Sequence, residues 1–123
     1  MEVFSSNPIN FDHFSDLLQQ LGSDNFIVLV HRFDLELESL ISEISNFEVD
    51  RDDLDNLIAK VHQSAGSAAA LGIIGLQKQL NLMESMAEPG KADAVRGELS
   101  KLIATWQTAK ASLLEKEIGR AHV

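Results

Sequence analysis

The apolar residues of this chain recur at alternating steps of three and four, not two. That is the period of an α-helix with one buried face, whereas a half-buried strand alternates. Pro8, Pro89, Gly22, Gly72, Gly90 and Gly119 all stand where a helix can start or stop. The spacing predicts a first short helix over Phe11–Leu21, capped by Asn10 and closed by Gly22. Ser23 can cap a second helix with the stripe Phe26, Val30, Phe33, Leu37, Leu40, Ile44. Asp50 can cap a third, with Asp53 as the acid of a capping box, the stripe Leu54, Leu57, Val61, Ser64, Ala68, Leu71, and a stop at Gly72. A fourth helix carries Ile73, Leu76, Leu80, Met83 and Ala87 and ends before Pro89; a fifth carries Val95, Leu99, Leu102, Trp106, Ala109 and Leu113. Four long amphipathic helices with short links predict an all-α fold, an antiparallel four-helix bundle with the short first helix packed across one end. The expected domain is 10–117, with tails over 1–9 and 118–123.

Composition narrows the function. A length of 123 residues, 45% hydrophobic and 24% charged, fits one folded domain. Nineteen acids against ten bases give a net charge of -9. Such a surface repels nucleic-acid phosphates and anionic membranes, so neither is an expected partner. With no cysteine, the chain has no disulfide framework, thiolate metal site or cysteine nucleophile. No apolar run approaches the roughly 18 residues of a membrane span, and no basic, apolar leader opens the sequence. The cytoplasm is the expected location.

Several chemical patterns fail on spacing. Gly90-Lys91 lacks the earlier glycine and preceding strand of a phosphate loop. The clusters Asp50-Asp52-Asp53-Asp55 and Glu36-Glu38 read as solvated faces or helix N-terminal charge rather than acid–base pairs. His13, His31 and His122 are scattered, without the close spacing of helical metal ligands, and read as surface or boundary residues. No metal and no cofactor are expected, nor kinase or ATPase activity of the chain's own.

His62 is different. On a helix turning about 100° per residue, it falls between the core stripe of the third helix and a polar stripe of Asn56, Lys60, Gln63 and Ser67. Its neighbours on that strip include Ile58, Ala59, Ala65, Gly66 and Ala69, which are small or apolar and form the expected partner-binding face. Gly66 is the most telling of them. A helical glycine costs roughly 1 kcal/mol relative to alanine, and this one stands a turn from His62, clearing space beside it. Either a partner docks there or a close helix–helix contact needs the glycine.

The run Val61-His62-Gln63-Ser64-Ala65-Gly66-Ser67-Ala68-Ala69-Ala70-Leu71-Gly72, followed by Leu76, Leu80 and Glu84, resembles the histidine phosphotransfer (HPt) domain. That family reads roughly A-H-x-L-K-G-S-A-x-x-L-G, then leucines at intervals and an acid or amide on the next helix. The resemblance implies a phosphorelay intermediate. The His62 imidazole would accept a phosphoryl group on Nε2 from the aspartate of one receiver domain and pass it to another. The implied partners are the receivers of a hybrid histidine kinase and of response regulators, with magnesium held by the receiver. Neutral imidazole suits this chemistry, since its ordinary pKa of about 6.5 leaves a free lone pair near neutral pH. Glu84 stands where the family places a residue that can bond the histidine; if the fourth helix folds back at Gly72, it and His62 lie at similar heights. A carboxylate on Nδ1–H would fix the tautomer and leave Nε2 free.

Two positions depart from the family. Ala65 replaces the usual lysine, which would meet the incoming phosphoryl group, and Lys60 and Lys78 are not placed to substitute. Ser64 replaces an apolar residue on the core stripe, where it can bond back to the preceding turn. The alternative from another class is a phosphorylation-independent adaptor that docks receivers or a kinase. The dimerising helices of a histidine kinase are a further possibility, but they require an ATP-binding domain for which this chain has no room. A lone module of the HPt kind needs no second subunit, so a monomer is expected.

Overall fold

The computed structural model describes residues 9–48, 51–87 and 91–121. Six helices follow one another: α1 Phe11–Leu21, α2 Ser23–Ser45, α3 Leu54–Ala70, α4 Ile74–Met86, α5 Ala92–Gly97 and α6 Leu99–Ala121. The described residues contain no strand, and no helix among them is long and apolar enough to cross a membrane. The fold is all-α.

Local chemistry sets the boundaries. Asn10 caps α1 by accepting from the His13 backbone N–H at 3.2 Å. Gly22 closes α1 at φ 83, its N–H donating to the Leu18 carbonyl, and its own carbonyl then accepts the Phe26 N–H that starts α2. One residue therefore joins the two helices, and Ser23 is the first residue of α2 rather than its cap. Asp50 lies outside the described residues, and α3 is capped instead by Asp53, which accepts from the Asp55 and Asn56 N–H groups. Before it, Arg51 and Asp52 form a turn closed by the Asp52 carboxylate, which accepts the Glu48 N–H at 2.9 Å. The Arg51 guanidinium beside Asp52 holds its carboxyl below the usual carboxylate range, so much of this acidic cluster builds a turn and a cap.

The expected fifth helix is two. Glu98 donates its N–H to Val95, three residues back, and its carbonyl starts α6 by accepting from Leu102. Gly97 weakens the helix at this break, while Arg96 ties α5 to the Phe47 carbonyl at the end of α2. The termini also depart from expectation. Ile9, assigned to a tail, is 4% exposed within the core, and α6 continues through 118–121 to Ala121. Residues 1–8 and 122–123 lie outside the described set.

Every residue of the expected α2 stripe, from Phe26 to Ile44, is buried, as are Leu57, Val61 and Ala68 of α3 and Leu76, Leu80 and Met83 of α4. α3 and α4 make the most intimate helix pair, while α2 packs on α1, α3, α5 and α6. The start of α1 lies over the α3–α4 turn. Asn10 N–H donates to the Gly72 carbonyl at 2.7 Å, and His13 Nε2 lies 2.7 Å from the Ala70 carbonyl at the end of α3. Gly72 has φ 80, and a Cβ there would come within 3.0 Å of the His13 ring. Glycine is required on both counts.

Asp34 joins α2 to α6. Its carboxylate accepts from the Trp106 indole N–H at 2.6 Å and from Lys110 at 3.2 Å, with Phe33 packed edge-on against Trp106. The indole N–H, and then Lys110, hold the Asp34 carboxyl below its ordinary value against the opposing effect of burial. As pH falls, the unfolded chain therefore binds this proton first. The contribution of Asp34 to stability is complete above the ordinary carboxylate range and is lost as pH falls through the folded-state value. Asp34→Asn should thus cost stability at neutral pH, and the gap to wild type should narrow in acid. Urea unfolding followed by circular dichroism at both pH values checks this; an equal gap at both would contradict it.

Candidate functional site

His62 points outward because its neighbours fix the rotation of α3. Val61 and Ser64 are each 2% exposed and set the buried face of α3. His62, about 100° round the helix from Val61 and on the side away from Ser64, leaves the core, and its side chain is 75% exposed. On α4, burial of Leu80 and Met83 sets the opposing rotation and turns Glu84 toward α3. The two meet as the height argument requires: His62 Nδ1 lies 3.1 Å from Glu84 Oε1. An ionised carboxylate only accepts, so this bond places the proton on Nδ1 and leaves the Nε2 lone pair free. Among the described residues Nε2 has no hydrogen-bond partner.

The surface around the ring divides the expected partner face. Ala59 and Gly66 are exposed, and Ile58 and Ala69 are half-buried beside them. A Cβ built at Gly66 meets nothing within 4 Å, so no helix packs against this glycine. Its φ is not positive either, so the backbone does not require it. Of the two explanations for Gly66, helix packing is therefore removed.

Ala65 is a correction. Expected on the partner-binding face, it is 3% exposed and belongs to the core. α2 covers the opposite edge of α3, where Lys60 pairs with Glu43 at 2.7 Å and Ser64 bonds Glu36. The Ala65 edge is the one closed by α4, and a small side chain suits that close approach. A lysine at 65 would not reach across an open face. Ala65→Lys should instead overpack the α3–α4 seam and cost about 1–3 kcal/mol, read as a lower midpoint in thermal unfolding. An unchanged midpoint would contradict this placement.

A polar link at the α2 edge was not legible in the sequence. Ser64 does not bond back to its own helix; its hydroxyl donates to Glu36 Oε2 at 2.8 Å. Ser67 also donates to Glu36 and lies 3.3 Å from the Gln63 carbonyl. Glu36, read from sequence as part of a solvated face, thus connects α2 to α3. The available signal was the serine on the core stripe, because a buried hydroxyl needs an acceptor. His13 was likewise missed as the partner of the α3 terminus, since its bond crosses from α1.

The described residues contain no group of three or more His, Asp or Glu side chains able to hold a metal. Gly90 and His122 lie outside them. No protein-family model, curated protein or solved structure matches this chain.

Proposed function

We propose that this chain is a phosphorelay intermediate of the HPt kind, in which His62 accepts a phosphoryl group from a receiver-domain aspartate and passes it to a second receiver. In this reading α2, α3, α4 and α6 form an antiparallel four-helix bundle, with α1 across the end that holds Gly72. The partners are receivers of a hybrid kinase and of response regulators, and the chain works in the cytoplasm, as a monomer.

The observation that carries the proposal is the state of one imidazole. His62 is exposed, its Nδ1 is engaged by Glu84, and the helix beside it opens at Gly66. Those are the requirements for in-line attack by Nε2 on a phosphorus brought by another protein. The Nε2 lone pair forms the N–P bond while the P–O bond to the receiver aspartate breaks, and that electron pair leaves with the carboxylate. Ala59 and Gly66, with Ile58 and Ala69 beside them, leave room for a partner surface to approach the ring. The neutralising metal comes with the receiver.

A panel of receivers phosphorylated by acetyl phosphate, each mixed with the purified chain, tests the proposal. At least one should transfer acid-labile, base-stable phosphate, and ATP alone should transfer none. Tight receiver binding without transfer would replace the relay with the adaptor reading.

A further inference from the structure

We infer that the negative charge of Glu84 keeps the phosphorylated His62 ring a good leaving group, and so sets how far into alkaline pH the loaded chain can release its phosphoryl group. The inference rests on His62 being the phosphoacceptor. It goes beyond orientation of the ring, because a neutral acceptor at position 84 could orient it equally well.

When Nε2 attacks phosphorus, nothing removes the proton on Nδ1, so the product is a phosphorylated imidazolium with a positive ring. In the onward step the N–P bond breaks and its electron pair returns to Nε2. If Nδ1 still carries its proton, the departing group is neutral imidazole. If that proton has gone to water, the departing group must be imidazolate, a far poorer one. The ring is 75% exposed, so nothing but its hydrogen-bond partner protects the Nδ1 proton as pH rises. Glu84, at 3.1 Å and with its side chain only 30% exposed, supplies an opposite charge with partial shielding from solvent. Such a charge favours the protonated ring.

The other charged groups near α3 are otherwise placed. Glu36 and Glu43 approach from α2 on the opposite edge and bind Ser64 with Ser67, and Lys60. His13 of α1 lies at the Ala70 carbonyl, while Asp55 of α3 and Lys78 of α4 are exposed. Glu84 alone bonds the ring among the described residues. A glutamine there could still accept from Nδ1–H but would carry no charge.

The test needs no receiver. Wild type, Glu84→Gln, Glu84→Ala and His62→Gln proteins are loaded with potassium phosphoramidate and desalted, and loss of phosphate is followed by intact mass spectrometry. The His62→Gln background isolates the signal from His62, and circular dichroism confirms that each variant is folded. At about pH 9 both Glu84 variants should keep their His62 phosphate several-fold longer than wild type, because without the carboxylate the ring gives up its Nδ1 proton more readily. At about pH 5, well below the ordinary imidazole range near 6.5, the lifetimes should converge. Equal lifetimes at both pH values would overturn the inference. So would a constant ratio at both, which altered exposure of the ring alone would give. Either result would leave transfer from receivers to His62 intact, so the inference can fail without the relay.

Discussion

A His62→Gln variant is expected to take no phosphate from any receiver that labels the wild type, while its helical spectrum and thermal midpoint stay nearly unchanged. Both halves follow from the same placement. The side chain is 75% exposed and its hydrogen bond is to Glu84, which is itself reached by solvent. Substitution on such a surface usually changes stability by no more than about 0.5 kcal/mol. Glutamine is a good helix former and can still meet Glu84, but it has no nucleophilic nitrogen with a free lone pair. Loss should therefore be complete rather than partial. Residual labelling at wild-type level would move the phosphoacceptor elsewhere, and global unfolding would mean that His62 supports the fold.

Gly66→Leu should have the second largest effect, and in opposite directions on binding and stability. A Cβ at 66 meets nothing within 4 Å, so the side chain would project from the helix beside His62. Replacing a helical glycine with leucine should stabilise α3 by roughly 0.5–1 kcal/mol, and the thermal midpoint should rise. The same side chain occupies the space through which a receiver approaches the ring. Receiver affinity should fall at least about a hundredfold, roughly 2.7 kcal/mol, and transfer should fall with it. Titration calorimetry against a wild-type-competent receiver and a melt of each protein measure the two effects together. A rise in stability with undiminished binding would place the docking face elsewhere. A fall in stability would restore a packing role to Gly66.

Most of the helical framework was legible because it rests on periodicity, and burial enforces periodicity. The α2 stripe is buried at every expected position, and Asn10 and Gly22 bound α1 where their chemistry requires. The pairing of His62 with Glu84 was also legible, since a turn at Gly72 brings the two to the same height. What escaped depends on which neighbour covers which edge. A helical wheel places Ala65 close to His62, but only the position of α4 decides that this edge is closed. Ser64 and Glu36 are far apart in the chain, so their bond needed the packing of α2 against α3 to appear. The break at Glu98 was hidden because Val95 and Leu102 keep helical spacing on either side of it.

Phosphate should reside on one atom, Nε2 of His62. After loading from a phosphorylated receiver, nitrogen-edited NMR of the histidine rings identifies both the residue and the nitrogen that carries phosphorus. Phosphorus should appear on Nε2 of His62, with Nδ1 left to Glu84. Phosphorus on Nδ1, or on His13 or His31, would contradict it, as would a receiver complex that forms without any phosphorylated ring.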